Sequence, residues 1–124
     1  MPINKKYYTL LIKEVPEDQE KSLYNCSFKY RGYMWSEFNR HRKSRTAIIV
    51  ICKINNLIIG WGIKFYEKSI RKKVVMLYVK KPYRRKGIGS KILNKLIGDT
   101  NLKLIKAYPD SKSLKFFNHN KIKT

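Results

Sequence analysis

The residues best suited to chemistry stand in one short basic segment with two glycines: Arg84, Arg85, Lys86, Gly87, Ile88, Gly89 and Ser90. It separates a continuous apolar run, residues 74–79, from an amphipathic stretch, residues 90–98. The first amides of a helix are unpaired and partly positive, and glycine lets an anion approach them closely. We therefore interpret the segment as a seat for a phosphate or diphosphate. A Walker loop is excluded because GxxxxGK[ST] is absent, and no third glycine follows at the dinucleotide spacing.

Strands and helices on either side must hold this seat in place. The patterns predict a strand over 7–15, a helix over 16–29 that ends near Gly32, and a hairpin of 46–54 and 57–67 around Asn55-Asn56. They also predict a buried strand over 74–79, a helix over 90–98 and a strand over 102–108. Pro109, Asp110 and Ser111 are expected to open a last short helix that contains Leu114 and Phe117.

Residues 33–45 fit no single pattern. Met34, Trp35 and Phe38 could form one short helical face, with a basic cluster behind it.

The segment from Arg84 to Gly89 resembles the signature R/Q-x-x-G-x-G/A of the GCN5-related N-acetyltransferase (GNAT) family. The resemblance runs for about twenty residues and implies a single α/β (α+β) domain over 1–124, with a mixed, mostly antiparallel sheet flanked by helices. It implies acetyl-CoA as the acetyl donor and no metal. Residues Arg84 through Ser90 would hold the diphosphate, and the backbone of Tyr78 and Val79 would meet the pantetheine arm. The strands 74–79 and 102–108 would splay apart to leave a cleft for the thioester.

The resemblance also implies direct attack of an acceptor amine on the thioester. An N–H near Val79 would meet the developing negative charge, and Glu67 is the first candidate for the base, with Glu37 and His41 as further ones. The family's usual tyrosine is replaced by Phe117, which cannot protonate the thiolate of CoA, so Tyr108 or water would have to do so. Asp110 is expected to cap the last helix.

The net charge of the chain indicates what kind of acceptor it attracts. The chain carries 29 Lys and Arg against 8 Asp and Glu, a formal charge of +21, and residues 68–124 hold 17 basic and two acidic residues, hence +15. Such a field attracts anions, so we expect nucleic acid or a nucleic-acid-bound protein on the acceptor side. The residues expected there are Trp35, Arg40, His41, Arg42 and Arg45.

Three alternatives remain open at this stage. The aromatic residues could belong to the core, with the cations simply solvated. The chain could be a non-catalytic basic module that binds nucleic acid or a host protein. It could also acetylate a small-molecule amine, with the charge only compositional.

The two cysteines, Cys26 and Cys52, have neither CxxC spacing nor partners for a four-ligand metal site, so we expect both to be reduced and buried. The first residues carry no apolar leader, and the longest apolar runs are too short to span a membrane. We therefore expect a cytoplasmic protein with no membrane partner.

Overall fold

The computed structural model describes residues 4–108 and 113–124, without the side chains of residues 28–31. Its strands and helices are β1 (Lys5–Leu11), α1 (Glu17–Arg40), β2 (Ile48–Ile54), β3 (Leu57–Glu67), β4 (Lys72–Val79), α2 (Ile88–Ile97), β5 (Ile105–Ala107) and α3 (Leu114–His119). Short 3-10 turns occupy Ile12–Glu14, Lys81–Tyr83 and Leu102–Leu104. The start predicted for the last helix, including the cap at Asp110, lies outside the described residues.

The five strands form one sheet in the order β1-β2-β3-β4-β5. Neighbours from β1 to β4 run antiparallel, and only β4 and β5 run parallel. Leu23, Met34 and Phe38 of α1 pack on one face of the sheet, and Ile92 and Leu96 of α2 pack on the other. The predicted α/β architecture with a mostly antiparallel sheet is therefore confirmed.

The hairpin of β2 and β3 forms as predicted. Ile54 pairs with Leu57 across a two-residue turn, and Asn55 has a φ of 50°, in the left-handed region that asparagine tolerates. Trp61 in β3 is fully buried and its indole N–H donates to the carbonyl of Leu23 at 3.0 Å, so the hairpin is joined directly to α1.

The prediction that the first helix ends near Gly32 is wrong. Helix α1 runs through Gly32 to Arg40 and includes residues 33–40 of the segment 33–45, whose pattern was ambiguous. Glycine costs about 1 kcal/mol inside a helix. The buried side chains of Met34 and Phe38, one helical turn apart beyond it, outweigh that cost by packing on the sheet.

Several predicted boundaries also need correction. β1 ends at Leu11 rather than at residue 15, because Ile12–Glu14 turn as a 3-10 helix and Ile12 donates its amide to the carbonyl of Ala47. α2 begins at Ile88, two residues early, because Gly87 supplies its cap. β5 holds three residues instead of seven, since Leu102–Leu104 form a turn, and its outer side meets Lys123, whose carbonyl accepts from Ala107 at 2.8 Å.

Both cysteines are free and buried, as predicted. Among the residues the structure describes, no helix combines the length and the apolar character that a membrane span needs.

Candidate functional site

The N-terminus of α2 presents bare backbone. Gly87 is the cap residue with a φ of 80°, a conformation in which a side chain is strained. A Cβ built at Gly87 would have no described atom within 4 Å beyond its chain neighbours, so the backbone faces open space. The amides that follow are the unpaired donors of a helix start, and the exposed Arg85 and Lys86 stand beside them. This geometry fits a diphosphate group.

The next three residues, 88–90, are less exposed than Gly87. Ile88 is buried among the residues beneath α2, so only its backbone is available to a ligand. A Cβ on Gly89 would lie 3.4 Å from the ring of Phe116, so this glycine faces α3 rather than the open space that Gly87 faces. Ser90 is half-buried in the first turn.

Arg84 is anchored to the end of β4. Its Nε donates to the carbonyl of Val79 at 2.8 Å, and its guanidinium carbon lies 5.2 Å from the ring centre of Tyr78. The side chain therefore ties the loop to the strand, which holds the α2 N-terminus beside the end of the sheet.

A gap opens between β4 and β5. β5 pairs with residues 73–75 of β4, and within residues 4–108 and 113–124 no strand lies beside the last four residues of β4 on that side. Lys80 donates to Ile59, and Tyr78 pairs with Trp61, so the backbone of Tyr78 is directed toward β3. Because backbone groups alternate along a strand, the groups of Leu77 and Val79 are directed into the gap. The backbone of Tyr78, predicted to meet the pantetheine arm, is therefore directed toward β3, whereas the N–H of Val79 is directed into the gap beside Leu77, which was not predicted.

A cavity of about 710 Å³ lies between α1 and the sheet, on the side of Glu67. Its lining combines two carboxylates, one guanidinium and two phenols with smaller groups: Tyr33, Glu37, Arg40, Phe65, Glu67, Ser69, Val74 and Tyr108. It brings together the predicted base Glu67, the predicted acid Tyr108 and Arg40. Tyr33, Phe65, Ser69 and Val74 were missed, because only the register of β3 with β4 and the continuation of α1 place them here.

Arg40 joins the two carboxylates of the cavity. Its Nη2 atom lies 2.7 Å from Oε2 of Glu37 and 2.7 Å from Oε2 of Glu67. The adjacent guanidinium is the main reason that the pKa of Glu67 lies below its usual value, and Ser69 adds a hydrogen bond to Oε1 at 3.3 Å. Glu67 is therefore a carboxylate whose charged form is favoured by its contact with the cation of Arg40.

Glu37 is buried, which is unusual for a carboxylate. Besides Arg40, its Oε2 lies 3.8 Å from Nδ1 of His41, whose ring stacks on Phe65 with a centroid distance of 4.2 Å. The charge of Glu37 and its hydrogen bond raise the pKa of Tyr33. Glu37, a secondary candidate from sequence, thus belongs to the centre of the cavity. No group of three metal-ligating side chains occurs within the described ranges.

The other predicted acceptor residues are engaged elsewhere. Trp35 stacks on Phe38 at 4.9 Å and meets Trp61 edge-on, so it extends the core. Arg42 pairs with Glu20 and donates from Nη2 to Asn39 at 2.6 Å. Arg45 is exposed beyond the end of α1, outside the cavity lining. The structure does not bring these residues together with Arg40 as one surface.

Tyr108 and Phe117 differ sharply in their exposure to solvent. Tyr108 is 43% exposed at the mouth of the cavity, with Nζ of Lys106 5.1 Å from its ring centre. Phe117, at the family's usual tyrosine position, is 2% exposed and packs among the residues beneath α2.

Comparisons with known proteins agree with this architecture. The family model described as acetyltransferase (GNAT) family matches residues 7–118. No curated protein matches the chain in sequence.

Three solved structures share the fold. A putative acetyltransferase from Exiguobacterium sp. 255-15 has a TM-score of 0.72 and 15% identity over 95% of this chain and 84% of its own. Aminoglycoside N-acetyltransferase AAC(6')-Iy in complex with CoA has a TM-score of 0.70 and 8% identity over 100% and 91%. A ribosomal-protein-alanine N-acetyltransferase from Brucella melitensis biovar Abortus 2308 has a TM-score of 0.62 and 12% identity over 98% and 93%. The chain therefore belongs to the GNAT family of N-acetyltransferases, whose acetyl donor is acetyl-CoA, as its Arg84–Gly89 motif predicted.

Proposed function

We propose that the protein transfers an acetyl group from acetyl-CoA to a primary amine of a small polycationic molecule. The observation that carries this proposal is the pair Glu37 and Glu67 in one cavity. A chain of charge +21 has eight acidic residues, and two of them line the same cavity. Buried or partly buried carboxylates select cations, so the acceptor is recognised as an ammonium group.

The donor is assigned to the end of α2 and the gap beside β4. Its diphosphate would lie on the amides after Gly87, with Arg85 and Lys86 adding charge, while Arg84 holds the loop in position. The backbone groups of Leu77 and the N–H of Val79 would receive the pantetheine arm in the gap, since the carbonyl of Val79 already accepts from Arg84.

The chemistry assigned to this chain's residues is a direct transfer. The acceptor ammonium first gives one proton to water. The amine nitrogen then forms a bond to the thioester carbon, the carbon–sulfur bond breaks, and the second proton passes through water to the carboxylate of Glu67, which returns it to solvent. The N–H of Val79 would bind the pantetheine arm instead of the reacting carbonyl, because Val79 lies at one end of β4 and Glu67 of β3 pairs with Lys72 at the other. The phenol of Tyr108, or water, would supply the proton to sulfur, since Phe117 has none to give.

Arg40 controls the strength of Glu67 as a base. While the guanidinium is paired with Glu67, the pKa of this carboxyl is lowered and it takes a proton poorly. An acceptor ammonium that replaces Arg40 would remove this effect once it has lost its proton. We therefore assign Arg40 as the cation that the acceptor displaces.

A nucleic-acid acceptor, expected from sequence, is less well supported. Arg40 and Arg42 already pair with carboxylates and Trp35 packs in the core. A solved relative named an aminoglycoside N-acetyltransferase, bound to CoA, is consistent with a polycationic small molecule instead.

The test uses spermidine and an aminoglycoside as acceptors, with acetyl transfer followed by mass spectrometry. We expect Glu67→Gln to lower kcat/KM by about 100-fold or more, the usual contribution of a general base. Glu17→Gln, on the exposed first turn of α1, removes the same charge and should leave the rate unchanged. Equal rates for both variants, or no acetylation of either amine by the wild type, would refute the proposal. A non-catalytic module would bind nucleic acid and acetylate neither amine.

A further inference from the structure

A cluster of lysines surrounds the free edge of the sheet, at the opposite side from β5. β1 is the edge strand, and within the described residues no strand pairs with its outer side. We define the lysine ridge as the five lysines and two tyrosines at this edge: Lys5, Lys6, Tyr7, Tyr8, Lys53, Lys91 and Lys95. The acceptor cavity and its carboxylates take no part in it.

The ridge has two charged flanks. Nζ of Lys91 and Nζ of Lys95 lie 4.8 and 5.9 Å from the ring centre of Tyr7, on the face of α2. Lys5 shares this face by strand alternation, and it acts with Lys91 to oppose the rise that burial causes in the pKa of the Cys52 thiol.

The opposite flank lies on the face of α1. Tyr8 points there by alternation, and Nζ of Lys53 lies 5.5 Å from its ring centre and donates to Gln19 at 2.7 Å. Lys6 pairs with Lys53 across the two strands, so both ammonium groups project on the same side. Like charges placed opposite each other are destabilising, so a bound anion would relieve the repulsion between Lys6 and Lys53.

The ridge lysines have no acidic neighbours nearby in sequence, although Lys53 reaches Gln19 in the acidic first turns of α1, beside Asp18 and Glu20. Residues 1–13, 40–66 and 80–98, which include every ridge lysine, contain no Asp or Glu. The lysines are therefore not neutralised by acidic neighbours along the chain, and cation–π contacts with tyrosines hold three of them in position without reducing their charge.

We propose that the lysine ridge binds the phosphate backbone of duplex nucleic acid, independently of the acetyl-transfer function. Because the cations stand on both sides of the sheet edge, they can face the two rows of phosphates that border a groove about 12 Å wide. A lipid surface is flat and would meet only one flank. The expected binding is independent of sequence and depends steeply on salt.

The first test measures the affinity of a 20-base-pair DNA duplex, by anisotropy, between 50 and 200 mM salt. The ridge variant Lys5→Gln/Lys53→Gln/Lys95→Gln is compared with Lys21→Gln/Lys68→Gln/Lys103→Gln, which removes the same charge from exposed positions elsewhere. We expect the ridge variant to lose at least tenfold in affinity and to flatten the log–log salt slope by about 2.7, since each phosphate contact contributes about 0.9. The control should change by less than threefold. Equal losses in the two variants would overturn the proposal.

The second test uses the wild-type protein and needs no variant to fold. Lysines are acetylated with a water-soluble reagent, with and without the duplex, and each site is quantified by mass spectrometry. The five ridge lysines should be protected severalfold, and Lys21, Lys68 and Lys103 should not. Uniform protection, no binding, or binding to anionic phosphatidylserine vesicles without binding to the duplex would contradict the proposal.

Discussion

Arg40 offers the sharpest test of the cavity, because its guanidinium is the only side-chain group shown to contact both cavity carboxylates in the part of the chain that the structure describes. Its side chain is 50% exposed, so each ion pair contributes only about 0.5 kcal/mol. Glu37, however, is 8% exposed at its side chain and would keep a charge without its main partner. Leaving the buried Glu37 without Arg40 adds about 1 kcal/mol to the decrease in the free energy of unfolding. Arg40→Ala should therefore lower the free energy of unfolding by about 1–2 kcal/mol, or about 3–8 °C in Tm.

The seat left by Arg40→Ala should accept a free guanidinium ion. Methylguanidinium at ten times its dissociation constant would restore about 1.4 kcal/mol. Thermal unfolding is followed with methylguanidinium chloride against sodium chloride at equal ionic strength. The matched control is Arg42→Ala, which removes an arginine paired with Glu20, a carboxylate more exposed than Glu37. Methylguanidinium should not restore the stability of this control. Spermidine should also raise the Tm of Arg40→Ala more than that of the wild type, since in the variant no arginine competes with spermidine for the carboxylates.

The dependence on pH has a defined sign. Arg40 lowers the pKa of Glu67 in the folded state, so this pair contributes stability above the unfolded pKa of the carboxyl, about 4.3. The contribution is lost as the pH falls through the folded pKa. The difference in Tm between the wild type and Arg40→Ala should shrink in acid. An unchanged Tm at neutral pH, with no effect of methylguanidinium, would refute the assignment of Arg40 as an occupant of the cation seat.

Three further variants test the remaining parts of the account. Gly87→Ala should lower the free energy of unfolding by about 1–2 kcal/mol and weaken CoA binding in calorimetric titration, because alanine is strained at the positive φ of this cap. Gly32→Ala, inside α1, should instead raise the free energy of unfolding by about 0.5–1 kcal/mol. Equal effects of the two variants would contradict the interpretation of Gly87 as a strained cap. Arg84→Ala should weaken CoA binding by about 1–3 kcal/mol in calorimetric titration, and an unchanged affinity would mean that the loop needs no anchor to Val79. Trp35→Ala should destabilise the fold by about 2–3 kcal/mol without altering the salt slope of DNA binding, and the reverse pattern would assign Trp35 to base stacking.

The donor side was predictable from sequence because its signals are local. A buried strand, a glycine turn and an amphipathic helix follow one another within twenty-five residues, and each has its own pattern. The one feature of the donor side that local patterns could not predict is which backbone groups of β4 are directed into the gap. The choice between Tyr78 and Leu77 depends on the register with β3, which no local pattern encodes.

The acceptor side was poorly predicted because its contacts are distant in sequence. Arg40 meets Glu67, 27 residues away, so the basic cluster was interpreted as an unpaired surface. The continuation of α1 through Gly32 then places Glu37 in the cavity, where packing of Met34 and Phe38 outweighs a poor helix former. Helical spacing of Met34, Glu37 and His41 was the signal that could have indicated this arrangement.

One competition experiment decides whether a cationic amine or a nucleic acid is the acceptor. The wild-type protein is incubated with acetyl-CoA and equal concentrations of spermidine and a short DNA duplex, and every product mass is measured. We expect acetyl groups on spermidine alone, formed at a rate that Glu67→Gln lowers by about 100-fold or more. Acetyl groups on the nucleic acid, or on neither molecule, would contradict the account.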